Sequence, residues 1–240
     1  MKKTKSLYRG HRFPAVVISC AVRWYFRFSL SLRDIEELLL ERGVEVTYET
    51  IRCWCDKFGA GFAQRAKAAR RKPGSTRHLD EMFVTLRGEP YLLWRAVDEH
   101  GAEFDMLVQK RRDKAAAKRF FRRLLRSNPV PRKIVTDQMR SYPAKDDIPE
   151  LAHAKHVFVK AAARVNNRAE NSHQPTRRRE RQMCGFARRT QAFLSCFGLI
   201  RQHFALPRHQ MNAACHRAVL KERFATWHDW TVTGAVEKVT

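Results

Sequence analysis

The chain has 240 residues, with 48 Lys and Arg against 24 Asp and Glu, a formal net charge of +24. That length suits one or two domains with a real core, and the charge far exceeds the magnitude of about 2–8 that suffices to keep a small soluble domain dispersed. No apolar run approaches the ~18–20 residues of a membrane span, and the cationic excess points to nucleic acid rather than to its competitor, an anionic membrane surface, since no long basic amphipathic helix stands apart from a core.

The six cysteines, at 20, 53, 55, 184, 196 and 215, show no paired metal spacing. The opening Met-Lys-Lys-Thr-Lys-Ser is not followed by a signal-type apolar stretch. Free thiols in a reducing cytoplasm are therefore expected.

In chain order, the first seventy or so residues read as three helices. Val17, Cys20, Ala21, Trp24 and Phe28 recur at helical spacing. Ser31 with Asp34 three residues on forms a capping box, and Leu32, Ile35, Leu38 and Leu39 give the second helix its apolar face. Gly43 stops that helix and Thr47 caps the next, whose stripe is Ile51, Trp54, Cys55 and Phe58. A bracing helix before two helices joined by a Gly-containing turn describes a helix-turn-helix. Its outward face would be Glu49, Arg52, Cys53 and Asp56, with Thr47, Tyr48 and Lys57 beside them, and in such units the start of the last helix reaches base edges. The basic segment Lys67–Ser75 ends in turn formers and marks a boundary near residue 75. Its Arg70, Arg71 and Lys72 could lie along a DNA backbone.

The second part begins with strands. Residues 79–86 alternate, 91–97 form a buried run and 103–108 alternate again, with turns at Arg87-Gly88-Glu89-Pro90 and Asp98-Glu99-His100-Gly101, which predicts an antiparallel meander. Residues 113–126 are helical, Lys133–Asp137 is a short β-branched strand, His156–Val159 is another, and 167–204 is mostly helix with a break near Gly185. That order predicts a ribonuclease H-like fold, an α/β (α+β) mixed-sheet domain in which the first and fourth strands are neighbours.

Three carboxylates then stand out. Asp80 lies in the first strand, Asp137 ends the fourth, and Glu170 heads a strongly basic helix. Hard cations such as Mg²⁺ take oxygen ligands, and carboxylates from separate elements can hold two of them about 3.5–4 Å apart for in-line attack at a phosphodiester. Arg177 follows Glu170 by two helical turns and shares its face with His173 and Gln174. Arg178, Arg179 and Arg181 extend this basic stretch, and these arginines with His173 are the candidate DNA contacts. Asp98 fits a hairpin turn, Asp105 an exposed strand face and Trp94 the core, while His153 and His156 are expected to face solvent.

The chain resembles bacterial insertion-sequence transposases of the DDE class, in the insertion-sequence family-six group. The resemblance rests on residues 42–54, His78-Leu79-Asp80-Glu81, Tyr91–Asp98, Thr136-Asp137 and residues 166–181. It implies an N-terminal helix-turn-helix that binds terminal inverted repeats and a ribonuclease H-like catalytic core. It further implies Mg²⁺-dependent 3′-end cleavage and strand transfer into target DNA, with cointegrates formed by replicative transposition. Asp80, Asp137 and Glu170 match the catalytic and metal-binding triad for two Mg²⁺ ions, with Mn²⁺ as a substitute, and Arg177 matches the basic residue that follows the glutamate. A homodimer or larger nucleoprotein assembly, nucleoid-associated in the bacterial cytoplasm, is implied as well.

The expected division is 1–75 for the DNA-binding domain and linker, 76–205 for the catalytic core and 206–240 for a C-terminal helical tail. Arg77 departs from the family pattern where many relatives carry an aromatic residue, and Cys184 and Ala187 replace basic positions. The rival readings are a DNA-binding regulator, a decayed inactive copy and a host nuclease of the same fold.

Overall fold

A computed structural model describes residues 6–70, 74–136, 142–158, 167–187 and 189–233, without the side chains of 142–144, 167–171, 208 and 233. The chain folds as two compact units. One is Met1–Arg70 with Cys196–Thr240, and the other is Arg71–Ser195. The C-terminal residues thus belong to the unit of the N-terminal helices, so this structural division differs from the three-part division drawn from sequence.

The first unit contains α1 (Ala15–Arg27), α2 (Leu32–Leu40) and α3 (Tyr48–Ala68). Ser31 closes both halves of the expected capping box, accepting from the Asp34 N–H at 3.0 Å while its own N–H donates to Asp34 Oδ2 at 2.7 Å. Gly43 takes φ +72° after α2, a left-handed conformation that glycine adopts without a Cβ penalty. Thr47 caps α3 through the Thr50 N–H. The predicted α3 stripe is buried as a set, and Phe62, Ala63 and Ala66 extend it.

The buried face of α1 is rotated from the expected one. Ile18, Ala21, Val22 and Phe26 are inside, whereas Phe28 is exposed. The run from Ala15 to Val22 is apolar almost throughout, so period alone leaves the facing side open. Packing decides it. Phe26 lies against Gly59 of α3, where an added Cβ would meet its ring at 2.9 Å, and Trp24 instead lies beneath the Arg42 guanidinium, 5.4 Å from its ring centroid. The helices α6 (Thr190–Phe204, from Cys196 on) and α7 (Ala213–His228) complete this unit. An aromatic chain runs through it, Tyr8 to Phe58 at 5.0 Å, Phe58 to Phe62 at 5.9 Å and Phe62 to Trp227 at 5.4 Å.

The second unit is built on a five-stranded sheet in the order β3-β2-β1-β4-β5. Strands β1 (Thr76–Leu86), β2 (Glu89–Val97) and β3 (Glu103–Gln109) form the predicted antiparallel meander, and β4 (Lys133–Thr136) and β5 (Lys155–Phe158) add to it in parallel. Arg87 and Gly88, at φ 54° and 80°, make the two-residue hairpin turn that twisted strands favour. That turn fixes the register, Leu86 opposite Glu89 and therefore Asp80 opposite Arg95.

Alternation then sorts the two faces. Leu79, Leu92, Trp94, Ala96 and Ile134 pack under Ala116, Ala117, Phe120, Phe121 and Leu124 of α4 (Lys114–Arg126), itself capped by Asp113. Met82, Val84, Leu93 and Met106 pack on the opposite face with Phe186 and Leu194. The helix α5 (Asn167–Gln182) also lies on that second face, over the Asp80 end of β1. This sheet order and strand polarity are those of the predicted ribonuclease H-like fold.

Candidate active site

Asp80 sits on β1 one strand away from β4, whose Val135 lies opposite His78. Asp137 itself lies outside the described residues, one position beyond the end of β4. Glu170 is in the first turn of α5, and its side chain lies outside the described set. What the structure brings to Asp80 is the next turn of that helix. His173 Nε2 is 3.3 Å from Asp80 Oδ2, and the imidazole is 1% exposed against 20% for the carboxylate.

Burial holds the His173 pKa below its ordinary value, outweighing the nearby Asp80 carboxylate, which pulls the other way. A neutral imidazole touching one carboxylate oxygen restricts how that carboxylate turns. Asp80 thus offers a hard, partly exposed oxygen donor held from behind, which suits a divalent cation with an ordered outer shell. Among the described residues no group of three metal-ligating side chains converges, and two of the three expected carboxylates fall outside them.

Beside Asp80, β2 places Arg95, buried to 2% exposure. Its Nε is 3.4 Å from Glu103 Oε2 on β3, while Nη1 donates to the Ser172 carbonyl and Nη2 to Thr176 Oγ1, both on α5. Burial lowers the Arg95 pKa, and the carboxylates of Glu103 and Asp80 counter that. Breaking such a buried pair on one side costs about 3–5 kcal/mol, because the remaining charge is stranded.

This Arg95–Glu103 pair was passed over in the sequence, where residue 95 stood in an apolar strand run. The signal was present. A charged residue inside such a run needs a partner, and the Arg87-Gly88 turn puts it opposite Asp80.

The remaining candidates divide by exposure. On α3, Thr47, Glu49, Arg52, Cys53, Asp56 and Lys57 are all exposed and Tyr48 is half-buried. Arg52 Nε donates to Glu49 Oε2 at 2.9 Å, Lys57 lies 2.7 Å from His11 Nε2, and Arg33 stacks over Tyr48 at 5.3 Å. Arg70 is engaged within its own unit, donating to Gln202 Oε1 at 2.8 Å, and Arg71 and Lys72 lie outside the described residues.

Arg177, Arg178 and Arg181 are exposed on α5. Two expected DNA contacts are internal instead. His173 faces Asp80, and Arg179 is 1% exposed, donating to Gln182 Oε1 at 2.7 Å beneath the Phe193 ring. The cause is helical phase, since residues 173, 176 and 179–180 share the face that covers the sheet.

Several neighbouring assignments hold. Asp98 accepts the His100 and Ala102 N–H groups in its turn and Trp94 is core, but Asp105 does not lie on an exposed face: its side chain is 13% exposed and pairs with Arg123 of α4 at 3.0 Å. All six cysteines are free. His153 is exposed, but His156 is half-buried and hydrogen-bonded to Thr136 Oγ1 at 2.9 Å, because parallel pairing of β4 and β5 sets the two side by side. Arg77 is buried, with its guanidinium 3.7 Å from the Phe104 ring centroid and donating to the Pro129 carbonyl at 3.3 Å. Cys184 is exposed, in a left-handed turn at φ 52° that ends α5 and delivers Phe186 to the end of β1.

A mixed sheet with an aspartate on its first strand and a glutamate-bearing helix across it defines the class of DDE nucleic-acid-processing domains. Residues 74–205 match a family described as a DDE domain, of the IS240 transposase type. The chain belongs to this family of bacterial DDE transposases, in the insertion-sequence family-six group.

It is 35% identical over 134 residues to the transposase of the insertion sequence-like element IS431mec of Staphylococcus aureus, a match covering 56% of this chain and 60% of that one. It is 34% identical, over the same shares, to the transposase of the insertion sequence IS257 in transposon Tn4003 of Staphylococcus aureus. The chain thus spans 60% of the length of these curated relatives. Among solved structures, the magnesium complex of the HTLV-2 integrase catalytic core domain aligns at 14% identity and a TM-score of 0.34, over 42% of this chain and 83% of that one. A simian T-cell lymphotropic virus intasome aligns at 12% identity and a TM-score of 0.38, over 71% and 54%. These scores are low, and the fold assignment rests on the strand order.

Proposed function

We propose that this chain is a transposase that binds the terminal inverted repeats of an insertion sequence and joins their 3′ ends to target DNA in the bacterial cytoplasm. The observation that carries this reading is the contact between Asp80 on β1 and His173 on α5, which sets the helix bearing Glu170 against the aspartate strand. Membership of the DDE-domain family supports it over a host nuclease or a regulator.

In this reading Asp80, Asp137 and Glu170 hold two Mg²⁺ ions, for which Mn²⁺ can substitute. When bound, these supply Lewis-acid activation of the attacking oxygen and charge stabilisation of the leaving one. The carboxylates act as ligands and none relays a proton. His173 and Arg95 keep Asp80 and α5 in place. Exposed Arg177, Arg178 and Arg181 neutralise phosphates, and the outward face of α3, with Arg52 at its centre, reads the element end.

Two chemical steps follow. Water cleaves the phosphodiester at the element end and releases a 3′-hydroxyl, and that hydroxyl then displaces the 3′ oxygen of a target phosphodiester. Replicative transposition through a cointegrate is the proposed outcome, and two ends brought together call for a homodimer or larger assembly.

The test is strand transfer from a labelled element-end duplex into plasmid DNA. Joined product with Mg²⁺, none with EDTA and none from Glu170→Gln supports the reading. Undiminished joining by Glu170→Gln contradicts the triad.

A further inference from the structure

We propose that Arg95 is a positioning residue that clamps α5 across Pro175, holding the segment with Glu170 and His173 against β1 at Asp80. The proposal rests on the assignment of Asp80 and Glu170 to one site. Pro175 stands in the interior of α5. It has no N–H to donate to the carbonyl four residues earlier, and its ring crowds that carbonyl, so the helix is weakest between the half that carries Glu170 and the basic half that follows.

The Arg95 fork spans that point. Nη1 donates to the carbonyl of Ser172, three residues before the proline, and Nη2 donates to Thr176 Oγ1, one residue after it. Neutralising Glu103 requires neither bond, since the ion pair is made through Nε at 3.4 Å.

Arg95 is itself tied to the sheet. It is enclosed, paired with β3 and set opposite Asp80 by the hairpin register. The sheet therefore dictates where both halves of α5 lie. Only a planar guanidinium presents donors in three directions at once, and a lysine ammonium at this position could keep the charge toward Glu103 but not both helix bonds.

The experiment is amide hydrogen exchange on the full chain for wild type, Arg95→Lys and Thr176→Val, each with and without Pro175→Ala, alongside Mn²⁺ binding followed by electron paramagnetic resonance. Arg95→Lys and Thr176→Val are expected to speed exchange across 167–174 by about tenfold while β1–β3 stay protected. They should also weaken Mn²⁺ binding, by roughly 10–100-fold for Arg95→Lys. Pro175→Ala, which restores the missing helix bond, should return most of both losses.

Unchanged exchange in both variants overturns the clamp, and so does a loss that Pro175→Ala leaves in place. Should Arg95→Lys fail to fold, Thr176→Val decides, because it leaves the Arg95–Glu103 pair intact. Restored protection in a protein that binds no Mn²⁺ even as wild type upholds the clamp and rejects the metal-site reading, so the two failures are distinguishable.

Discussion

The two units of this protein place their charges in opposite ways. In the unit of α1 to α3 the interior is aromatic and aliphatic, with Phe26, Phe58, Phe62 and Trp227 at its centre, and α3 turns Glu49, Arg52, Asp56 and Lys57 outward. In the sheet unit one end of the α5-facing side holds buried Arg95, Glu103 and His173 beside the partly exposed Asp80. An exposed cation attracts a polyanion at little structural cost. A buried ionic network is costly to assemble and repays that cost only where geometry must be held. The difference is in keeping with the proposed function, in which binding falls to the outer face of one unit and chemistry to the inner face of the other.

The largest effect that would sharpen this contrast is on packing. Phe62→Ala removes a ring that touches Phe58 and Trp227, and should destabilise the helical unit by about 3–5 kcal/mol. Thermal unfolding followed by near-ultraviolet circular dichroism measures this. A loss below about 1 kcal/mol would mean that this interior is not what holds the unit together.

Next comes His203, a histidine buried in the helical unit, whose Nε2–H donates to the Arg223 carbonyl at 3.1 Å. Burial pushes its pKa down to about 4. The folded state therefore binds its proton less readily than the unfolded chain, whose imidazole titrates near 6.5. Its contribution is fully present above that pH and is lost as pH falls toward 4, on the order of 3 kcal/mol in all. Urea unfolding from pH 7 to 4 should show this slope in wild type and a flatter one in His203→Phe.

The smallest stability effect is expected at Arg52→Ala, whose pair with Glu49 is solvent-screened. Its melting temperature should stay near wild type. Binding to an element-end duplex should weaken on the order of tenfold if Arg52 reads a base. Unchanged binding would remove α3 from the recognition surface.

Much of this was legible in the sequence. The meander, α4 and the break after α5 followed from alternation, from the Arg87-Gly88 turn and from Gly185, because these local signals agree with the tertiary fold. The α2 capping box and the α3 stripe were legible for the same reason. The facing side of α1 was not, since its first two turns are apolar all round and Gly59 on a distant helix decides the approach. Nor was the inward turn of His173 and Arg179, because a basic helix seen alone gives no sign of which arginine covers a sheet. The role of Arg95 was hidden by its neighbours, and it becomes visible only once the hairpin register is counted from the turn.

The most direct test of the account is to measure Asp80→Asn twice, for binding to a labelled element-end duplex by fluorescence anisotropy and for Mg²⁺-dependent joining of that duplex to plasmid DNA. Wild-type affinity with no joined product is the result predicted if chemistry resides on the inner face of the sheet and binding elsewhere. Joined product at the wild-type level would contradict it.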